Sequence, residues 1–196
     1  MHLDLQELTQ LAEIYKKLSG GYHISEQDLA LWQELDAQEL SYSALFSGLG
    51  HTLKRDSRGF FYFDVDDASA NMGKISRLFA LTIYALVEYF ADQGRDPLQA
   101  LFDSELDHEV FAAIVQKQYH LFEQLDIFSA TDVKREVANR MLRLGLARAS
   151  GDNIKLLAPV HRYLDALLQL DDGVPQDSSD TVLLVDTPDT EEMSDV

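Results

Sequence analysis

The strongest indication of the fold lies in residues 52–65, which read TLKRDSRGFFYFDV. Two short runs flank the polar turn DSRG at 56–59, a pattern typical of a β-hairpin. In the second strand, alternate aromatic rings of the FFYF sequence at 60–63 lie on opposite faces. A hairpin that stood free would leave one of these faces in water. Either the protein's own helices cover both faces or another chain does.

The residues before the hairpin predict a helix and a short extended segment. Apolar residues at three- and four-residue spacing indicate a helix over 3–18, which the glycine pair at 20–21 ends. The sequence YHI at 22–24 follows as a short strand.

Two further helices lead into the hairpin. Ser25 is predicted to cap the first of them, with Asp28 in its first turn near the positive end of the helix dipole. The residues predicted to face inward from this helix are Leu29, Trp32 and Leu35. The second helix covers about 43–51. The order of helix, short strand, helix, helix and hairpin is that of a winged-helix domain, and few other small folds share it.

The second half of the chain repeats this plan. A helix over 107–125 precedes a cap at 129–132 and a further helix that Gly145 ends. A second hairpin turns at 150–153, and Pro159 then opens a last helix.

Between the halves, residues 71–90 are apolar on nearly every side. Such a helix must be buried, either between the two halves or in a dimer interface. We therefore predict a mainly α protein with small β-hairpins, in which a buried central helix joins two tandem winged-helix domains. The predicted divisions are an N-terminal winged-helix domain at 1–67, a central helical connector at 68–106, a C-terminal winged-helix domain at 107–170 and an acidic disordered tail at 171–196.

The formal net charge is −18, from 34 acidic and 16 basic residues. A protein this acidic repels DNA and anionic membranes over most of its surface. The charge is unevenly distributed, with −12 in residues 1–130, +3 in 131–170 and −9 in 171–196, where no Lys or Arg occurs. Any DNA contact is therefore expected in 131–170. We hypothesise that the acidic tail competes with DNA for that region.

The sequence contains no combination of residues typical of an enzyme or a metal site. The absence of cysteine excludes disulfides, thiolate catalysis and cysteine-ligated metals. The six histidines form no HxxxH pair, no serine lies in a GxSxG context, and the GLG sequence at 48–50 lacks the third glycine of a phosphate-binding turn. The acidic sequence DVDD at 64–67 is best explained as a solvated junction with an N-cap. We expect no catalytic activity, no metal and no cofactor.

The most apolar stretch is LFALTIYALV at 78–87. Its length is about half of what a helix needs to span a bilayer, so it is expected to be a buried helix. No signal peptide is recognised at the N terminus, and a cytoplasmic location is expected.

Residues 132–144 form the candidate for a nucleic-acid contact. As a helix, this segment turns an apolar arc inward, formed by Val133, Val137, Met141 and Leu144. The opposite arc carries Arg135, Asn139, Arg140 and Arg143. Lys134 lies within the apolar arc and is expected to extend its amine to water. Further basic residues come from the adjoining hairpin and the next helix, namely Arg148, Lys155 and Arg162.

Two interpretations of this helix stay open. A helix that presents Arg and Asn beside a basic hairpin is how winged helices meet DNA phosphates. The alternative is a solvated face on which Glu136 pairs with Arg140 at i,i+4. The concentration of positive charge in this part of the chain favours the DNA contact.

Four short motifs give the chain a resemblance to a known family. They are GGYHI at 20–24, GFFY at 59–62, MGKI at 72–75 and LRLGL at 142–146. In this order they are similar to those of the MukE/MksE proteins, the tandem winged-helix "kite" subunits of bacterial condensins. The resemblance spans about 20–170, and the length of the chain is more like that of the MksE branch.

The resemblance implies a non-catalytic, nucleoid-associated subunit that acts in chromosome organisation and segregation or in plasmid defence. Its implied partners are a second copy of itself, a kleisin of the MukF or MksF type, and through the kleisin an SMC-like ATPase of the MukB or MksB type. It also implies weak, sequence-independent binding of double-stranded DNA. Carried over by position, the DNA-facing residues are Lys134, Arg135, Arg140, Arg143, Arg148 and Lys155. The motifs do not identify a kleisin-binding residue.

Two other function classes are alternatives to this role. A winged-helix transcription regulator would read bases with Asn139 and Arg143, but the acidic net charge and the lack of a ligand domain count against it. A nucleotide-processing or hydrolytic enzyme is the third class, and no residue in the sequence points to it.

Overall fold

The computed structural model describes residues 7–64 and 70–171, and only the backbone of residues 70–74 and 168–171. We refer to 7–64 as the first half and to 70–171 as the second half. The start of the helix predicted over 3–18, part of the DVDD sequence at 64–67 and all but the first residue of the tail at 171–196 lie outside the described residues.

The described residues are mainly helical and contain two antiparallel hairpins of two strands each. In the first half, the elements are α1 (Leu11–Ser19), α2 (Leu29–Ala37), α3 (Glu39–Gly48), β1 (Thr52–Asp56) and β2 (Phe60–Asp64). In the second half they are α4 (Ala70–Asp92), α5 (Pro97–Asp103), α6 (His108–Lys117), α7 (Tyr119–Glu123), α8 (Ala130–Val133), a π-helical segment (Lys134–Ala138), α9 (Asn139–Arg143), β3 (Ala147–Ser150), β4 (Asn153–Leu156) and α10 (His161–Asp171).

The first helix begins later than the sequence predicts, at Leu11. The residues just before it are held in a non-helical turn by Glu34 of α2. This carboxylate accepts hydrogen bonds from the Thr9 hydroxyl at 2.5 Å and the Gln10 amide at 2.9 Å. A side chain distant in sequence thus fixes the start of α1, whereas its end is where predicted, at the glycine pair, with Gly21 at φ +80°.

The second helix also differs from its prediction. Ser25 makes no side-chain cap, and a 3-10 turn (Glu26–Asp28) comes before α2. Leu31 and Leu35 are buried, whereas Leu29 is 56% exposed. Because Leu29 precedes Leu31 by two residues, it lies about 200° around the helix from the buried side. The third helix begins four residues earlier than predicted, at Glu39.

The first hairpin forms as predicted, with Thr52 opposite Asp64 and Asp56 opposite Phe60. The extended segment before α2 joins it through a bridge between Ile24 and Phe61. Both aromatic faces are covered by the protein itself. The rings of Phe61 and Phe63 belong to the core of the first half, and the opposite face contacts the second half, as described below.

Two separate clusters of buried apolar side chains form the interior. The first half contributes Leu8, Ile14, Leu18, Ile24, Leu31, Leu35, Tyr42, Phe46, Phe61 and Phe63 to one cluster. The central helix α4 contributes to the other, through Leu78, Phe79, Ile83, Ala85, Leu86 and Phe90.

The prediction that this helix is buried on every side holds only in part within one chain. Arg77 is exposed and Tyr84 is 42% exposed, so one side of α4 stays accessible. Arg77 and Tyr84 are seven residues apart and thus lie on one side of the helix, away from Phe79, Leu86 and Phe90, which pack into the second-half core.

In the second half, the helix predicted over 107–125 is broken. Gln118 leaves the helical region (φ −110°, ψ 33°) and its side-chain amide donates to Glu88 of α4, which separates α6 from α7. The predicted cap at Ser129 is confirmed, because its hydroxyl accepts from the Asp132 amide. The predicted end at Gly145 is confirmed as well, at φ +69°.

The second hairpin pairs Ala147 with Leu156 and Ser150 with Asn153. A bridge from Ile154 to Leu106 attaches a third extended segment to it, as Ile24 does for the first hairpin. Pro159 lies in a 3-10 turn (Ala158–Val160) before α10. The mainly α prediction with small hairpins is thus confirmed, and the assignment of each half to the winged-helix fold stays a prediction.

Candidate nucleic-acid interface

The helical run from α8 through the π-helical segment to α9 carries four of the six predicted DNA-binding cations. Its inward arc is largely as predicted, with Val133, Val137 and Met141 at most 1% exposed. Leu144 is only half-buried. Lys134 extends its amine outward to the tip of the second hairpin, where Nζ lies 3.3 Å from the Asp152 carbonyl oxygen. This contact ties the helix to the hairpin.

Arg135 and Arg140 are held by carboxylates of their own helix. Arg135 donates to Asp132 at 2.8 Å and to Glu136 at 2.9 Å, and Arg140 donates to Glu136 at 2.8 Å. The hydrogen bonds from Arg135 and Arg140 hold the pKa of Glu136 below its ordinary value. The i,i+4 pair of the solvated-face interpretation is therefore present. The charges of Arg135 and Arg140 are thus partly neutralised.

Arg148 and Lys155 face each other across the second hairpin. They share a face with Ser150 and Asn153, whose side chains donate to Glu105 at 2.6 and 3.2 Å. These two hydrogen bonds hold the pKa of Glu105 below its ordinary value. Arg148 and Lys155 thus form a basic pair with one carboxylate nearby, and neither makes an ion pair within 4.0 Å among residues 7–64 and 70–171.

The other face of this hairpin, with Ala149 and Ile154, is turned toward the helical run. A cavity of about 220 Å³ lies between them, lined in part by Lys134, Asn139 and Asp152. Neither Arg148 nor Lys155 is among the residues that line this cavity. By element, the six cations form a helix group (Lys134, Arg135, Arg140 and Arg143) and a hairpin group (Arg148 and Lys155).

Arg143 lies at the end of α9 and has neighbours that the sequence does not reveal. It lines an open groove of about 560 Å³ with Lys16, Lys17 and Tyr22 of the first half. No spacing or periodicity in the sequence links α1 to α9. The positive charge that the sequence assigns to 131–170 alone is thus continued by lysines of the first half.

The groove adjoins a junction where two of the four short motifs, GGYHI at 20–24 and LRLGL at 142–146, meet. The carbonyl oxygen of Leu144 accepts from the backbone amide of His23 at 2.9 Å and from His23 Nδ1 at 3.0 Å. His23 Nε2 in turn accepts from Arg162 at 2.8 Å, which fixes the neutral tautomer with its proton on Nδ1. Burial lowers the pKa of His23 to about 4.

Arg162 belongs to this junction, and its guanidinium lies 3.8 Å from the centre of the Tyr62 ring. The sequence groups Arg162 with the basic residues near the second hairpin. In the structure, Arg162 instead contacts His23 and Tyr62 and so has a structural role in the junction. The outer face of the first hairpin is completed by Phe60, which is buried and 6.0 Å from the His23 ring. A bidentate pair between Arg58 and Asp165, at 2.8 and 2.9 Å, joins the same hairpin to α10.

The described residues offer no group of three or more potential ligands that could hold a metal ion. His120 and Glu123 are 3.9 Å apart on α7, but the His120 side chain is 93% exposed. Within 7–64 and 70–171, no helix has the length and apolar character needed to cross a membrane. The arrangement offers exposed cations for an anionic polymer.

Comparison with known proteins gives one finding about the family. A family model described as "Condensin complex protein MksE" matches residues 9–168, which is most of the chain. A comparison with curated proteins gives no match. The matched region includes both hairpins, the central helix and the junction between the halves.

Proposed function

Because the chain belongs to the MksE family of condensin complex proteins, we propose that it is the non-catalytic kite subunit of such a complex. In this role two copies form a dimer that binds a kleisin of the MksF type, and through it an SMC-like ATPase of the MksB type. The complex acts in chromosome organisation and segregation or in plasmid defence. The observation that carries the proposal is the family match over both halves of the chain.

We further propose that the subunit holds duplex DNA through its exposed cations. Lys134, Arg143, Arg148 and Lys155 are the members of the predicted set that have no carboxylate within 4.0 Å in the described part of the chain. Lys134 reaches only a main-chain oxygen, and Arg135 and Arg140 contribute less because they pair with Asp132 and Glu136.

Contacts of this kind give weak binding without sequence preference. Each phosphate contact releases condensed counterions, so the affinity falls with salt by about 0.9 per contact on logarithmic axes. A subunit with a net charge of −18 gains little from long-range attraction to DNA. Weak contacts suffice when the other subunits enclose the DNA, since enclosure raises its effective concentration at the cations.

The complex is tested by affinity purification of the tagged protein from its native host, followed by mass spectrometry. We expect a kleisin and an SMC-like ATPase to copurify, and neither to copurify with an unrelated tagged protein from the same host. Recovery of the tagged protein without either partner would contradict the proposed complex.

DNA binding is tested separately, by titrating the full chain with labelled duplexes of unrelated sequence. Equal affinities and a steep loss with salt are expected. A strong preference for one palindromic site would support a transcription regulator instead.

A further inference from the structure

The groove between α1 and α9 combines cations from distant parts of the sequence. Its lining residues are Ala12, Glu13, Lys16, Lys17, Gly20, Tyr22 and Arg143. It is open to solvent and has a volume of about 560 Å³. Apolar atoms of Ala12 and the Tyr22 ring line it between basic side chains, and Glu13 is the only carboxylate residue among those that line it.

Lys17 is held in position by contacts with neighbouring side chains of the first half. Its amine lies 2.8 Å from Asp28 and 4.1 Å from the centre of the Tyr22 ring. The Tyr22 hydroxyl donates to the same carboxylate at 3.3 Å. Burial and the neighbouring Asp28 raise the pKa of Tyr22 to about 12, so this hydroxyl stays protonated. Lys17 and Tyr22 therefore form a fixed wall of the groove, and Asp28 holds both in position.

Lys16 and Arg143 are the two cations of the groove that remain available. Both are exposed. Among residues 7–64 and 70–171, neither has a carboxylate within 4.0 Å. They come from different halves, and the hydrogen bonds from His23 to Leu144, next to Tyr22 and Arg143, fix the two halves beside each other. The backbone positions of Lys16 and Arg143 are thus fixed relative to each other before any ligand binds.

We propose that this groove binds the phosphodiester backbone of duplex DNA, with Arg143 and Lys16 each contacting a phosphate. The inference rests on the proposed DNA-binding function and extends its contact surface from the second half onto α1. A guanidinium can bind two phosphate oxygens at once, and a lysine amine adds a point charge. The apolar lining suits sugar atoms, and backbone contacts of this kind carry no sequence preference.

The test compares two substitutions that change the net charge equally. Lys16→Gln removes a groove cation, and Lys117→Gln removes a cation of α6 that pairs with Asp92 at 2.5 Å. Binding of each full-length variant to a fluorescein-labelled duplex is measured by anisotropy at several salt concentrations. Lys16→Gln is expected to weaken binding severalfold at low salt and to reduce the salt slope by about 0.9, with a larger loss for Lys16→Glu.

Equal affinity and equal slope for Lys16→Gln and Lys117→Gln would overturn the inference. Suppose that the unaltered chain binds the duplex, and that binding is lost when Arg148 and Lys155 are replaced but not when Lys16 is replaced. The groove is then excluded as a DNA contact, while the proposed DNA-binding function stands. If the unaltered chain binds no duplex at any salt concentration, both fail.

The groove could also be specific for an acidic polypeptide, and the same variants separate that case. A labelled synthetic peptide of residues 172–196 serves as the probe. Loss of peptide binding in Lys16→Gln, with duplex binding unchanged, would assign the groove to an acidic polypeptide and overturn the DNA proposal. The unfolding midpoint of each variant is measured in parallel, and the matching Arg143→Gln variant keeps the test valid if Lys16→Gln is unstable.

Discussion

Gly145 is the residue on which the contact between the halves depends most directly. It ends α9 with φ +69°, a conformation that side chains with a Cβ rarely adopt. A Cβ built at this position would lie 2.4 Å from the carbonyl oxygen of His23 and 3.0 Å from the Tyr22 ring. Glycine is therefore required for two reasons: the positive φ of its own backbone, and the close approach of His23 and Tyr22 from the first half.

Replacing Gly145 with alanine is expected to destabilise the protein by about 3 kcal/mol, from backbone strain and displacement of the His23 backbone. Gly151 provides the control, since its φ is +61° but nothing lies within 4 Å of a Cβ placed there. Gly151→Ala should cost about 1 kcal/mol, the conformational part alone. Urea unfolding of the two variants measures the difference. Equal losses of stability would show that the contact with His23 contributes nothing.

His23 gives the junction a dependence on pH. Its imidazole is neutral, accepts from Arg162 and stacks on Tyr62 at 5.7 Å between ring centres. Protonation would remove the acceptor and place a second positive charge beside the guanidinium. Because burial lowers its pKa to about 4 in the folded state, while the unfolded chain keeps about 6.5, the unfolded state binds the proton more readily.

The stability from His23 is therefore complete above pH 6.5 and is lost as the pH falls toward 4. The pKa difference corresponds to about 3 kcal/mol over that interval. Other acidic groups add their own pH dependence, so the unaltered protein is compared with His23→Gln by urea unfolding at a series of pH values. The free energy of unfolding of the unaltered protein should fall more steeply between pH 6.5 and 4. Parallel curves would contradict the assignment.

Among the elements, the second hairpin shows best what the sequence could and could not predict. Its strands, its turn at 150–153 and the end of the preceding helix follow from local signals, namely the polar turn and Gly145. The position of Arg148 and Lys155 relative to the helix does not follow from local signals. It depends on which strand face packs on the core, and Ala147, Ile154 and Leu156 decide this through burial.

The helices show the same division between local and distant causes. The ends of α1 and α9 were predicted because glycines mark them, whereas the start of α1 and the break at Gln118 were not. Glu34 fixes the former and a hydrogen bond to Glu88 of α4 accompanies the latter, and both side chains are distant in sequence. The sequence does not predict the proximity of Lys16 to Arg143 for the same reason, since the two residues are also distant in sequence.

The hairpin group of cations is testable on its own. Replacing Arg148 and Lys155 together with Gln removes two unpaired charges that face the same side. The salt slope of duplex binding is expected to fall by about 1.8, because two phosphate contacts are lost. The control with the same change in net charge is Arg95→Gln with Lys117→Gln, at a loop and a helix outside the six cations. Electrophoretic mobility shifts at several salt concentrations measure both, and equal slopes would remove Arg148 and Lys155 from the interface.

At the level of the whole molecule, the distribution of charge matters more than its total. The cations of α1, α9 and the second hairpin belong to a protein with 34 acidic and 16 basic residues. The proposed binding of DNA would therefore depend on a few local contacts that act against a repulsive background. Any further acidic segment near those contacts raises the local negative charge and lowers the affinity.

Residues 172–196 contain eight acidic residues and no Lys or Arg. They follow α10, whose first residues contact the junction beside the groove. We expect a chain that ends at Asp171 to bind duplex DNA more tightly at low salt, because a competing polyanion is removed. The difference should vanish near 1 M salt, where screening acts within about 3 Å.

The matched control keeps the length of the segment and replaces its eight acidic residues with Asn and Gln. If competition by charge is the cause, this variant should bind DNA as tightly as the truncated chain. If truncation tightens binding but the neutral segment does not, the effect is one of steric hindrance rather than charge. Unchanged affinity in both variants at low salt would show that the segment does not compete for the cations, and the acidic charge would then act only as a uniform background.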